Sequence, residues 1–115
     1  TQAIALIEPF LDHFAPKVQY AAARALYQLT QLPHYGDRLI AALQGPDLQL
    51  RRSAMMDLGA TGYLPGATAI ATTYAENSLK LIALRDLWAA RSDQDPNTSL
   101  DAASIEILTL MDSLL

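Results

Sequence analysis

The chain has 115 residues, of which 51% are hydrophobic and 17% charged, and a formal net charge of -4. That is enough apolar material for one domain with its own core, and it excludes a disordered tail. The acidic balance, with a pI near 4.8, argues against a nucleic-acid-binding module, which carries a basic stripe for phosphates.

The chain contains no cysteine. Disulfides, thiolate catalysis and thiolate metal sites are therefore excluded, and a reducing compartment is expected. No apolar run reaches the roughly 18 residues that a membrane span needs, so no membrane insertion is expected. No signal peptide is expected, because Thr1 leads directly into an amphipathic segment. Residue 1 is Thr rather than Met, which suggests a mature product or an excised piece of something longer.

Strand patterns are poor, because alanine and leucine dominate and strict alternation is rare. The periodicity predicts a first helix over 2–13, bent near Pro9. A second runs over 16–31, with Pro16 in its first turn, where a missing N–H costs nothing. A third covers 35–44 and ends at Gly45. A fourth covers 47–60, with Pro46 at its start and Gly59 and Gly62 near its end. A shorter fifth spans 65–75, and a sixth spans 78–91 with Asn77 or Ser78 as cap. Residues 92–99, "SDQDPNTS", read as a polar linker. A last helix is expected over 100–114, capped by Ser99 or Thr98.

Three segments align in register: "VQYAAARALYQL" from Val18, "LRRSAMMDLGAT" from Leu50 and "LKLIALRDLWAA" from Leu79, at offsets of 32 and 29 residues. Each carries an aliphatic residue first, Ala fifth and Leu ninth. The stripes are Val18/Ala22/Leu26, Leu50/Ala54/Leu58 and Leu79/Ala83/Leu87. A small residue between two larger ones on one helix face lets a neighbouring helix approach closely. Ile7 and Leu11 match Leu39 and Leu43 at the same 32-residue offset. Two helices per unit at a period near 30 indicate an all-α fold, an α-solenoid of about three repeats. The units are 2–31, 35–60 and 65–91. The last helix, with Leu100, Ala103, Ile107, Leu110, Met111 and Leu114, is expected to cover the exposed end. The uncovered N-terminal end is expected to let the piece self-associate.

A helix pair closing with aliphatic–Arg/Lys–x–x–Ala–x–x–x–Leu resembles the short HEAT-like repeat of phycobilisome proteins. The strings "IEPFLDHFAPKVQYAAARALYQLTQ", "LRRSAMMDLGATGYL", "AENSLKLIALRDL" and "LMDSLL", in that order, resemble the C-terminal part of the E subunit in the E/F-type phycocyanobilin lyase family. The resemblance weakens at residues 92–104. It implies a longer subunit with further repeats before Thr1, acting as a heterodimer with a related F subunit. It implies delivery of phycocyanobilin to a cysteine of the phycocyanin alpha subunit, forming a thioether. The bilin would be a substrate, with no tightly bound cofactor. The setting would be the cyanobacterial cytoplasm or a plastid stroma, near thylakoid phycobilisomes. The missing cysteine agrees, since the nucleophilic thiol would belong to the acceptor. Catalysis would then work by positioning.

At about 100° per residue, Ala25 and Leu29 join the first stripe on the core side. The opposite side of the three second helices carries Tyr20, Arg24 and Tyr27, then Arg52, Met56 and Gly59, then Leu81, Arg85 and Trp88. It mixes aromatics, methionine and arginine, with no acids. Second helices line the concave surface of a solenoid. Aromatic and Met surface suits flat tetrapyrrole rings, and arginines suit propionates. Tyr20, Arg24, Arg52, Met56, Arg85 and Trp88 are therefore the candidates for a bilin or partner surface. An equal bland reading has Tyr20, Leu81 and Trp88 meeting other repeats, the F subunit or the last helix.

Arg51 and Lys80 occupy matching positions, as do Asp57 and Asp86, and neighbouring repeats are expected to pair them in a ladder. The sharper alternative is a free Asp that hydrogen-bonds pyrrole nitrogens. His13 and His34 stand alone and suit helix ends better than a metal site. Glu76 reads as part of a helix cap. "LGATGYLPG", residues 58–66, lacks phosphate-loop spacing and its Lys, so its glycines are expected to close the fourth helix. No Ser/His/Asp set stands at recognisable spacing. The competing reading of the whole chain is a non-catalytic HEAT scaffold for phycobilisome assembly or degradation. The piece alone is expected to be inactive if the site is shared between subunits.

Overall fold

Pro9 has no N–H to donate, so the helix that begins the chain cannot continue through it in α geometry. In the computed structural model, which describes residues 2–94 and 101–115, α1 (Gln2–Ile7) tightens into a 3-10 turn over Glu8–Asp12. The expected bend is therefore real. The other elements are α2 (Pro16–Thr30), α3 (Pro33–Ala42), α4 (Leu48–Thr61), α5 (Gly66–Thr72), α6 (Asn77–Gln94) and α7 (Ala102–Ser113). No strand occurs among the described residues.

The ends follow from local chemistry. Pro16 and Pro33 sit in the first turns of α2 and α3, where no helical donor is required. The Asp47 carboxylate caps α4 by accepting the Leu50 N–H at 3.0 Å. Pro46 thus lies outside the helix. Gly62, at φ 73°, closes α4 in the left-handed conformation that glycine adopts without strain. His13 Nδ1 accepts the Ala15 N–H at 3.0 Å just before α2, a helix-end role.

α2, α4 and α6 lie side by side as one layer, α3 and α5 pack together in the other, and α1 with its 3-10 turn packs on α2. The molecule measures 38 × 34 × 16 Å, a thickness that suits two layers of helices about 8–10 Å apart. The main core gathers Ala23, Leu39, Leu43, Ala54, Met55, Leu58, Ile70, Leu84 and Leu87 between the layers, with Ile107 added from α7. A second cluster of Leu26, Tyr27 and Tyr35 closes the α1 end. Beyond it, Leu6, Phe10 and Phe14 stay exposed.

Several expectations need correcting. Leu29 was placed inside, but it is 52% exposed. Tyr27 was placed on the open side, but it is 7% exposed and packs against Tyr63 at a ring separation of 5.2 Å. Of the linker expected over 92–99, residues 92–94 belong to α6 and the rest lie outside the described residues. The expected caps Thr98 and Ser99, together with Leu100, lie outside the described residues. Asp101 caps α7, accepting the Ser104 N–H at 2.9 Å.

Asp101 also receives Arg91 from α6, at 2.6 Å through Nη2. That guanidinium, helped by the Ser104 N–H, lowers its carboxyl to about 2. The folded value lies below the unfolded one. The tie is therefore fully present above the ordinary carboxylate range and is lost as pH falls through about 2. Amide exchange in α7 should accelerate, relative to α4, between pH 5 and pH 2.5, and Asp101→Asn should remove that pH dependence.

Candidate functional site

The second helices carry the candidate residues, so their shared register decides what each side chain meets. Counting from Val18, Leu50 and Leu79, the fifth, sixth and ninth places are buried in all three helices. They hold Ala22, Ala54 and Ala83, then Ala23, Met55 and Leu84, then Leu26, Leu58 and Leu87. The buried arc is wider than one stripe because each of these helices meets its own first helix, the next one and its neighbours in the layer. Close approach is literal at Gly59. A Cβ there would lie 2.8 Å from the Ala83 carbonyl oxygen.

The fourth, seventh, eighth and eleventh places are buried in none of the three helices. This open face runs through Ala21, Arg24, Ala25 and Gln28 on α2. It continues through Ser53, Met56, Asp57 and Ala60 on α4, and Ile82, Arg85, Asp86 and Ala89 on α6. Arg24, Met56 and Arg85 are the sequence candidates that lie on it. Tyr20 instead lines a hollow between α2 and α3 with Gln19, Ala23, Arg38 and Leu39. Trp88 turns under α7, where its Nε1–H donates to Ser104 Oγ at 3.2 Å. Ser53 and Ile82 were missed because a lone serine or isoleucine on a helix carries no pattern signal.

The expected absence of acids is wrong, because Asp57 and Asp86 lie on the open face itself and Glu76 reaches Arg52 from just before α6. Arg24 Nη1 donates to Asp57 Oδ1 at 2.8 Å across α2 and α4. Arg52 grips both oxygens of Glu76, at 2.7 to 3.1 Å. That grip lowers the Glu76 carboxyl from its ordinary value. The Glu76 carbonyl also accepts the Leu79 and Lys80 N–H groups at 3.1 Å, so Glu76 stands at the cap of α6 as expected, whereas Asn77 and Ser78 lie inside the helix. Arg85 reaches its own neighbour Asp86 at 3.2 Å, an exposed pair of the kind that contributes about 0–1 kcal/mol.

One rung of a ladder forms, and none of the expected pairs makes it. Arg51 donates to the Tyr74 and Gly45 carbonyls and Lys80 to the Ala71 carbonyl. Their side of the helix faces the loops and ends of the first layer, not the next second helix. Asp57 takes Arg24 instead, a partner 33 positions away.

Burial raises the Asp57 carboxyl above its ordinary value, and the opposing pull of Arg24 is the smaller effect. A raised carboxyl favours folding below the unfolded value, about 4, and that contribution is lost as pH rises through the folded one. Asp57→Asn should therefore melt no lower than wild type at pH 7 and show a flatter stability profile from pH 4 upward. Thermal melts across that range check this. A drop of many degrees at pH 7 would show that the ion pair outweighs its desolvation.

No group of three or more His, Asp or Glu side chains able to hold a metal ion occurs among the described residues. No described helix is long and apolar enough to cross a membrane. What the open face offers is a surface of small residues, alanines and Ser53, edged by methionine, isoleucine and arginine–carboxylate pairs. It can hold a flat apolar body and its carboxylates, and it presents no nucleophile.

Stacked helix pairs with this register define an α-solenoid of HEAT-like repeats. The model of the PBS lyase HEAT-like repeat matches residues 18–45, the stretch from the start of the α2 stripe through α3. The phycocyanobilin lyase subunit alpha of a Synechocystis species is 70% identical over 99% of this chain, which covers 43% of that protein. That of a Picosynechococcus species is 58% identical over the whole chain, which covers 42% of it. Among solved structures, the complex of CpcE and CpcF of phycocyanin lyase from Nostoc matches with a TM-score of 0.88. There the identity is 54%, over 99% of this chain and 41% of the other. The chain is similar over nearly its whole length to phycocyanobilin lyase alpha subunits and spans about two fifths of the length of these relatives.

Proposed function

We propose that the protein carrying this chain is one subunit of a bilin lyase. It binds phycocyanobilin and positions it for thioether attachment to a cysteine of the phycocyanin alpha subunit, working with a related F-type subunit. The observation that carries this reading is the open face of α2, α4 and α6, in a chain 70% identical to a protein named for that activity. Ser53, Met56 and Ile82 supply a surface for the flat chromophore, and arginine supplies a match for its carboxylates. The setting that goes with this reading is the cyanobacterial cytoplasm or a plastid stroma.

Thiol addition to a carbon–carbon double bond joins sulfur to carbon and leaves the thiol proton on the chromophore. No group departs and no oxidant is needed. A chain without cysteine can serve this step, because its task is to fix one face and one carbon of the bilin toward the acceptor's sulfur. This chain alone is then inactive, since the site is shared with the rest of the complex.

The test is transfer of phycocyanobilin to the phycocyanin alpha subunit by the full-length complex, followed by mass spectrometry of the acceptor peptide. One defined adduct is expected only with both subunits present. The same adduct at the same rate without this subunit would sink the proposal and favour a scaffold.

A further inference from the structure

The ladder of the open face is broken in one place, and the break leaves one arginine different from the rest. At the seventh place of α2, Arg24 crosses to Asp57 at the eighth place of α4. At the seventh place of α4 stands Met56, so Asp86 at the eighth place of α6 receives no such arginine. At the seventh place of α6 stands Arg85, and the helix that follows α6 in the stack is α7, which carries no stripe of this kind.

The consequence is visible in the contacts. Arg24, Arg38, Arg51, Arg52 and Arg91 each reach a carboxylate or carbonyl on another element. Among the described residues, Arg85 pairs only with its neighbour in sequence. Its Nε and Nη2 both point at the single oxygen Oδ1 of Asp86, at 3.4 and 3.2 Å, and its side chain is 66% exposed. It also stands at the rim of a cleft of about 310 Å³ between α6 and α7, lined otherwise by Leu81, Ile82, Met111 and Leu115.

We propose that Arg85 and this cleft seat one propionate-bearing edge of the bilin. The inference rests on the bilin reading above and singles out the arginine that recognises the carboxylate. The apolar wall takes ring and methylene surface, which gains by leaving water. The guanidinium takes the carboxylate through two parallel hydrogen bonds, a better geometry than two nitrogens sharing one Asp86 oxygen. Arg24 cannot do the same without releasing the half-buried Asp57.

The experiment compares phycocyanobilin with its dimethyl ester, titrated by absorption into the full-length subunit assembled with its F-type partner. Wild type is expected to bind the free acid roughly tenfold more tightly than the ester, the scale of a charge-assisted hydrogen bond. Arg85→Ala, at an exposed position, should bring that ratio near one, and Arg24→Ala should keep it. Equal binding of acid and ester by wild type overturns the inference. So does a full ratio in Arg85→Ala, or its loss in Arg24→Ala alone. A wild-type complex that binds neither compound overturns the bilin reading itself.

Discussion

Leu58→Ala is expected to cost about 2–5 kcal/mol of stability, the range for truncating a fully buried leucine. Leu58 is completely buried, at the ninth place of α4. Its methyl groups lie where a Cβ on Gly66 would sit, 2.9 Å away. The first turn of α5 is therefore seated on this side chain. Removing it opens a cavity that α5, held at its far end by the Thr73 hydroxyl on the Leu43 carbonyl, cannot easily fill. Urea unfolding of the chain measures the effect. A loss below about 1 kcal/mol would mean that α5 collapses onto α4 freely, contrary to the close packing described.

Gly59→Ala is the second large effect, and it acts by overfilling. The added methyl would stand 2.8 Å from the Ala83 carbonyl oxygen and 3.1 Å from the Ala83 Cα. Both are backbone atoms, so no rotamer change relieves the contact. α4 and α6 must move apart, at a cost of roughly 1–3 kcal/mol. This outweighs the gain of about 1 kcal/mol that alanine normally brings to a helix interior. A solvent-facing glycine in a helix would gain stability from the same change. Equal or higher stability for Gly59→Ala would therefore show that the two helices are not in contact there.

The stripe of Ala22, Ala54 and Ala83 was legible because alanine and leucine recur at helical spacing and two copies align without gaps. Several helix ends were legible because Pro9, Pro16 and Gly62 each impose a local backbone rule, but the third helix, expected over 35–44, begins at Pro33 and ends at Ala42. What escaped depended on partners far along the chain. Tyr27 is buried because Tyr63, from beyond the end of α4, packs against it. Tyr63 in turn gives its hydroxyl to Asp37 at 2.8 Å and is pushed up to about 12 by burial and that bond. Arg24 and Arg52 looked free because Asp57 and Glu76 stand 33 and 24 positions away. A helical wheel shows which way a side chain leaves its own helix. It does not show what waits there.

The family resemblance was legible through four strings in order, and the relatives agree with it. The candidate site was legible in part. Arg24, Met56 and Arg85 share the open face, whereas Tyr20 faces α3 and Trp88 lies under α7. The small residues between them carry no signal in one sequence.

We propose that phycocyanobilin lies on the open face of α2, α4 and α6. Ser53 is half-buried near the middle of that face. Its replacement by Glu adds bulk and a negative charge there without touching the buried arc. Titration of the full-length complex with phycocyanobilin, read by absorption, measures the consequence. The expected result is a loss of affinity of roughly tenfold or more, with the heterodimer and its melting temperature unchanged. Wild-type affinity for Ser53→Glu would place the bilin elsewhere and contradict the claim.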